Sequence, residues 1–281
     1  MSVTAVPEKP YFTVFTPVYN GEKHLDRVFN SIVSQTFRNF EWIIINDGST
    51  DRSGDLIKSF LDNHPEIDAK YYEQSNSGKH LSWNRAVAEA RGFLFIPADA
   101  DDSFSPETLS FFYDRWNGLS SEMKLQLSGI NVLCRDNDSD NIVGTPFPAD
   151  GMITNNVELE FRHRLKGEKW GCIRTDLLKN RPFPIIKGSH FPESYIWYHL
   201  SRKYKVVCFN NPLRRYYTTE TGIMQSAAAK KTSRAQHKVN LKYYLWLNLN
   251  FGGYILRYSP RSFVSNTKVI LGSARRLLFK Y

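Results

Sequence analysis

Over the first hundred positions, short continuous apolar runs alternate with apolar stripes at helical spacing. Phe12-Thr-Val-Phe-Thr16 is a short β-branched and aromatic run stopped by Pro17, and Glu41 to Asn46 holds three consecutive isoleucines. Both predict strands covered on their two faces. Between them, Leu25, Val28, Phe29, Ile32 and Val33 recur at i, i+3 and i+4 within Glu22 to Gln35, the spacing of an amphipathic helix. The alternation continues with a helix over 51–61, a strand over 69–73, a helix over 79–90 and a strand over 93–97. Strand, helix, strand in succession predicts a mostly parallel α/β sheet. Ligands of such sheets sit beyond the carboxyl ends of the strands, which directs attention to the turns Pro17–Asn20, Asn46–Asp51 and Asp99–Asp102.

After Pro106 the order changes. A helix over 107–116, a strand over 125–134, a polar hairpin-like stretch around 136–141 and mixed short elements lead to strands near Lys205 and Arg215. From Gln225 onward Lys and Arg alternate with Tyr, Trp and Leu, predicting two helices separated by Gly252-Gly253 and Pro260. The expected division is 1–104 for a Rossmann-like nucleotide-binding half, 105–222 for an acceptor-binding half of the same domain, and 223–281 for a basic, aromatic helical extension.

Composition narrows this picture. With 281 residues, 41% hydrophobic and 14% aromatic, the chain can bury a sizeable core. The three cysteines, Cys134, Cys172 and Cys208, are far apart and form no CxxC pair, so neither a disulfide framework nor a thiolate zinc site is encoded, and a reducing cytoplasm is expected. No stretch has the length and apolarity of a signal peptide or a membrane span, so a protein outside the bilayer is expected. The net charge of +9 is uneven: from Arg214 to Tyr281, thirteen Lys or Arg stand against the single acid Glu220. Such a tail fits an anionic surface, either lipid or nucleic acid, or else a solvated basic face.

Candidate chemistry begins at Asp99-Ala-Asp-Asp102, where three carboxylates crowd into four residues at a strand end. Their repulsion must be offset, either by a hard divalent cation such as Mg²⁺ or Mn²⁺ carrying phosphate, or by their serving as caps for a helix starting near Ser105. The turn does not stand alone. Thr16-Pro-Val-Tyr-Asn20, Ser34-Gln-Thr-Phe37, Asn46-Asp-Gly-Ser-Thr-Asp51, and Asn76-Ser-Gly-Lys79 with Asn84 precede it in order. Together these five motifs, spread over residues 12 to 105, resemble the family 2 glycosyltransferases with a GT-A fold, of the inverting, bacterial surface-polysaccharide kind.

The resemblance implies roles at matching positions. Thr16, Pro17, Tyr19, Asn20 and Asp47 would hold the nucleotide of a nucleotide-sugar donor. Asp47 would accept a hydrogen bond from a base N–H, which favours uracil, since a carboxylate is an acceptor only; Asp47 as a cap for the helix near Asp51 is the other reading. Lys79, at a helix start, would attract donor phosphate or base oxygens, although a helix-start lysine need not meet a ligand. Asp99 would sit near the ribose, Asp101 would meet the Mn²⁺ or Mg²⁺ that bridges the diphosphate, and Asp102 would help from behind. The family usually supplies the acceptor's base from an acidic pair at a helix start. Phe191-Pro-Glu193-Ser-Tyr-Ile-Trp197 occupies that place and leaves Glu193 alone, or else Glu193 is a first-turn acid favoured by the helix dipole. Trp170 in Gly167-Glu-Lys-Trp-Gly171 would either stack on an acceptor sugar or pack in the core. The family's usual late histidine ligand has no counterpart near Arg214-Arg-Tyr-Tyr217, which leaves Arg214 or Arg215 to assist the phosphates.

The function expected is inverting transfer from a UDP-sugar to a hydroxyl of a glycan or lipid-linked glycan, by a protein peripheral to the inner face of the plasma membrane. A nucleic-acid-binding protein using the basic tail is the alternative, and it lacks a recognition motif. A nicotinamide-dependent oxidoreductase is excluded by a first strand turn without GxGxxG.

Overall fold

The computed structural model describes residues 9–186, 188–217 and 233–279. Its nine strands form one sheet in the order β3-β2-β1-β4-β8-β6-β9-β5, with β7 also pairing β9. The strands are β1 (Phe12–Val18), β2 (Phe40–Asn46), β3 (Ala69–Glu73), β4 (Leu94–Pro97), β5 (Ser103–Phe104), β6 (Leu127–Asp136), β7 (Met152–Thr154), β8 (Lys169–Arg174) and β9 (Lys205–Tyr216). Strands β3, β2, β1 and β4 run parallel, β8 enters antiparallel between β4 and β6, and β9 is parallel to β6. The mostly parallel sheet expected from the alternating pattern is therefore present in the first half, and the change of order after Pro106 is a change of strand direction.

Helices α1 (Leu25–Val33), α2 (Ser53–Asn63), α3 (Lys79–Glu89) and α4 (Thr108–Asn117) cover the first half. On α1 the apolar stripe Leu25, Val28, Phe29 and Ile32 is buried, and Phe29 stacks on Phe60 of α2 at 4.1 Å. On the other face of the sheet, Trp83 of α3 packs against Phe15 and Phe95. One charge sits inside this apolar setting: the Glu41 side chain is fully buried in β2. It accepts from Thr13 Oγ1 at 2.7 Å, from the Arg91 backbone N–H at 2.5 Å and from Arg91 Nε at 2.7 Å, with Lys70 Nζ at 3.3 Å. Burial opposes its ionisation, yet these donors hold its carboxyl below the usual carboxylate range.

The second half adds α5 (Ser121–Gln126), which the apolar pattern does not foretell, and delays the strand expected from Leu125 to Leu127. A single π-helical turn at Glu158–Arg162, α6 (Thr175–Lys179) and α7 (Ser194–Ser201) complete it. The two strands expected near Lys205 and Arg215 are one twelve-residue strand, whose pairing with β6 shifts register three times.

The tail folds as a helical hairpin, α8 (Arg234–Tyr258) and α9 (Pro260–Leu278). The expected break at Gly252-Gly253 is not there. Both glycines lie inside α8, and the chain turns at Ser259 with Pro260 at the first position of α9. Glycine costs a helix about 1 kcal/mol, which does not end one. Gly252 is buried, and a Cβ there would stand 3.3 Å from the Phe263 ring, so its bareness lets α9 pack closely. The expected boundaries at 222–223 and at Gln225 lie outside the described residues.

Candidate active site

The functional turns gather at the carboxyl edge of the parallel strands. After β1, Asn20 takes a positive φ of 52°, accepts at Oδ1 from the Thr50 N–H at 2.8 Å, and donates its own N–H to Ser49 Oγ at 3.0 Å. The two expected nucleotide turns are thereby fastened to each other. Tyr19, in the first of these turns, is 54% exposed. Thr16 is different: it is buried, and its hydroxyl accepts from the Trp42 indole at 3.0 Å, so that side chain belongs to the core and not to a ligand pocket. Pro17 is half-buried at the end of the same strand.

Asp47 caps nothing on α2. Its Oδ1 accepts from Gln74 Nε2 at 2.8 Å and the Ser77 N–H at 3.0 Å, and its Oδ2 from the Gly78 N–H at 2.8 Å. The carboxylate shapes the segment that leads into α3, where Gly78 at φ 92° is the N-cap and Lys79 the first residue. Asn84, one turn further, brackets the Phe183 backbone through two bonds of 2.8 Å, and Gln35 of the Ser34-Gln-Thr-Phe37 motif joins Ser31, Ser105 and Leu109. These two motif residues hold loops in place.

The acidic turn is organised by two cations. Arg214, 5% exposed, reaches Asp99 Oδ2 at 2.9 Å through Nη2, Asp102 Oδ2 at 2.7 Å through Nε, and Glu168 Oε1 at 3.1 Å through Nη1. Lys79 Nζ lies 2.7 Å from Asp99 Oδ1 and 2.8 Å from Glu193 Oε1. Burial would raise the Asp99 carboxyl, but Lys79 and Arg214 hold it at about 2. Burial pushes the Asp102 carboxyl up to about 7, with Arg214 opposing and Asp99 and Asp101 adding to the rise. Glu168 is also raised by burial, against Arg214. Lys79 is held charged, its own burial outweighed by Asp99 and Glu193.

Two expectations are corrected here. The Asp residues do not cap α4, whose N-cap is Glu107. Arg214 is not free to assist phosphates, because a buried guanidinium neutralised by three carboxylates is a structural counter-charge, and Arg215 turns away to Asp140 Oδ1 at 3.1 Å. Glu168, the third carboxylate, is a site residue that sequence reasoning passed over, although it sits in the quoted stretch beside Trp170.

Asp101 stands apart from this network. Arg27 Nη1 donates to its backbone carbonyl at 2.8 Å, and its carboxylate makes no ion pair among the described residues. No cluster of three or more His, Cys, Asp or Glu side chains suited to a metal occurs among the described residues. One unpaired carboxylate at a strand end fits a Mg²⁺ or Mn²⁺ that takes most of its oxygens from phosphate and water.

Glu193 is the N-cap of α7 but makes no capping bond; it faces Lys79 instead. Lys79, Asp99, Glu168, Glu193 and Arg214 line a cavity of about 210 Å³ together with Asn131, Asn156 and Tyr198. Trp170 borders this cavity from inside the core: it is 3% exposed, packs on Phe104 and Phe112, and its indole donates to the Pro97 carbonyl at 2.5 Å. A sugar has no exposed indole face to stack upon, so of the two readings of Trp170 the packing one holds.

Known proteins share this architecture. Residues 13–120 match the family model described as glycosyl transferase family 2. An uncharacterised glycosyltransferase of Haemophilus influenzae is 30% identical over 186 residues, 65% of this chain and 69% of that one. A glycosyltransferase of Streptococcus pneumoniae, GlyA, is 35% identical over 103 residues, 37% of this chain but 14% of that far longer protein. Among solved structures, residues 1–349 of Staphylococcus aureus TarS in complex with UDP-GlcNAc superpose with a TM-score of 0.58 at 19% identity, covering 94% of this chain and 72% of that one. A mannosyltransferase of Pyrobaculum calidifontis in complex with GDP-Man and Mn²⁺ gives 0.57 at 15% identity, covering 97% and 88%. At those identities the likeness is one of fold, and the fold is GT-A. By motif order, architecture and relatives together, this chain belongs to glycosyltransferase family 2.

Proposed function

We propose that the protein transfers a sugar from a UDP-sugar to a hydroxyl of a glycan or lipid-linked glycan by a single inverting displacement. One observation carries the reading: a single ammonium, Lys79 Nζ, joins Asp99 of the nucleotide-side turn to Glu193 of the second half, so donor-side and base-side carboxylates converge on one cavity. The two solved neighbours bound to UDP-GlcNAc and GDP-Man support the donor class.

Tyr19, exposed beside Asn20, offers a face for the base, and Asn20 and Asp47 fix the turns around it. Lys79, at the N-terminus of α3, reaches the diphosphate by exchanging its contact with Asp99 or Glu193 for a phosphate oxygen. Asp101 would hold a divalent cation, which would supply neutralisation of the charge that develops on the departing diphosphate. Glu193, paired with the same ammonium, takes the proton of the acceptor hydroxyl as that oxygen attacks the anomeric carbon and the bond to the diphosphate breaks. One carboxylate base suffices for inversion. The acceptor, if carried on lipid, is met at the inner face of the plasma membrane.

The test is turnover of a panel of nucleotide sugars with and without Mn²⁺, comparing the parent with Asp101→Ala. The expected result is activity with a UDP-sugar that chelation abolishes and the variant lacks. Activity resistant to chelation, or undiminished in the variant, refutes the metal-assisted reading.

A further inference from the structure

The tail is not an appendage hanging from the domain. Helix α8 is fastened to the base-bearing part of the second half. Gln236 donates to the His190 carbonyl at 3.0 Å and accepts from the His190 N–H at 2.9 Å, three residues before Glu193. Ser194 Oγ and Tyr243 Oη are 2.8 Å apart, and Trp246 stacks on His199 of α7 at 3.6 Å. Val239 of α8 is buried in the cluster that holds Phe191 and Ile196, and Tyr243, Leu247 and Ile255 in the one that holds Phe161 and Tyr198.

Helix α9 packs on the far side of α8. Asn266 bonds Asn248 at 3.2 Å, and Ser273 meets His237 at 3.3 Å, so one stripe of α9 is used by its partner helix. The opposite stripe has no partner among the described residues. It runs Arg261, Val264, Lys268, Leu271, Arg275 and Leu278, at spacings of three and four, continued by Arg276 and Phe279. Val264, Leu271, Leu278 and Phe279 are between 50% and 77% exposed. No Asp or Glu occurs anywhere from Thr221 to the end of the sequence. A helix face that interleaves exposed apolar side chains with cations only is complementary to an anionic lipid surface, where the leucines enter the acyl boundary and the cations meet headgroups. No described helix is long and apolar enough to cross a membrane.

We infer that this outward face of α9 docks on an anionic bilayer, and that α8, rigidly joined to the Glu193 segment, sets the orientation of the cleft toward a lipid-linked acceptor. The inference extends the reading that the acceptor is carried on lipid, and its test does not depend on glycosyl transfer.

The full chain is sedimented with phosphatidylcholine vesicles, with and without phosphatidylglycerol, at low and high salt. The parent is expected to bind the anionic vesicles only, and more weakly as salt rises. Lys268→Gln with Arg275→Gln is expected to weaken binding about 30-fold, each near-surface cation being worth roughly fivefold. Val264→Asn with Leu271→Asn and Leu278→Asn removes the apolar part and is expected to weaken it roughly a hundredfold. All three apolar positions are exposed, so thermal melting should be unchanged, which separates lost docking from lost folding. Absence of vesicle binding by the parent, equal binding to zwitterionic vesicles, or full binding by either variant overturns the inference. So does a concentration-dependent dimer, or an RNA complex, that the apolar variant abolishes while vesicle binding persists. Docking without donor turnover leaves this inference standing and removes the proposed activity.

Discussion

Replacing Arg214 by methionine removes the counter-charge of three carboxylates at once. The guanidinium is buried and bonded to Asp99, Asp102 and Glu168, and Lys79 remains to compensate only Asp99. Methionine fills much of the arginine stem's volume, so the loss is electrostatic more than steric. Removing one partner of a buried ion pair typically costs about 3–5 kcal/mol, because the charge left behind is neither solvated nor paired. For a chain of this size each kcal/mol lowers the melting temperature by roughly 2–4 °C, so a fall of about 10 °C is expected. Arg215→Met is the control: Arg215 and its partner Asp140 are both largely exposed, and such pairs contribute about 0–1 kcal/mol. Differential scanning calorimetry and urea unfolding of the two variants give the comparison. If Arg214→Met melts within 2 °C of the parent, or no lower than Arg215→Met, the account of Arg214 as the structural counter-charge of the acidic turn is wrong.

Other substitutions probe the remaining links. Glu193→Gln should lower transfer about 10²–10⁴-fold while calorimetric donor binding persists, and equal loss of both would make Glu193 a binding residue. Glu41→Gln should cost about 3 kcal/mol at neutral pH, by loss of a buried, multiply bonded carboxylate. Because the folded Glu41 carboxyl is depressed, its contribution is complete above the ordinary carboxylate range and is lost as pH falls toward the folded value, so parent and variant should converge in acid unfolding. Gly252→Leu should destabilise by about 1–3 kcal/mol by forcing Phe263 away, whereas Gly253→Leu, at an exposed helical position with open space, should be neutral or stabilising by roughly 0.5–1 kcal/mol in thermal unfolding.

The first half was legible because its signals are local. Continuous apolar runs and period-3.6 stripes located β1 to β4 and α1 to α4 within a few residues, and turn residues such as Asn20 and Gly48 take the positive φ their types favour. The acidic turn was also found, but its partners were not, since the contacts from Arg214 to Asp99 and Asp102 span more than a hundred residues. Position in a motif likewise did not reveal direction. Thr16 and Trp170 stand in the right stretches, yet their polar atoms are spent on Trp42 and Pro97 inside the core. Glu168 went unnoticed because a lone glutamate between glycine and lysine carries no periodic signal; only β8 places it beside Arg214. In the tail, helix propensity and charge predicted two helices and Pro260 marks their break; Gly252-Gly253 misled because Gly252 serves the close approach of Phe263, a tertiary demand.

The paired bonds between Gln236 and the His190 backbone bear on modularity. A chain cut near residue 223 to obtain a smaller catalytic unit would keep every nucleotide-side motif, yet it would remove the clasp on the strand of backbone leading to Glu193. If Glu193 is the base proposed above, such a fragment would bind donor while the carboxylate that activates the acceptor lost its support. On the proposed reading the helices 234–258 and 260–278 would serve the second substrate, and homologous domains should be compared with that boundary moved to include them.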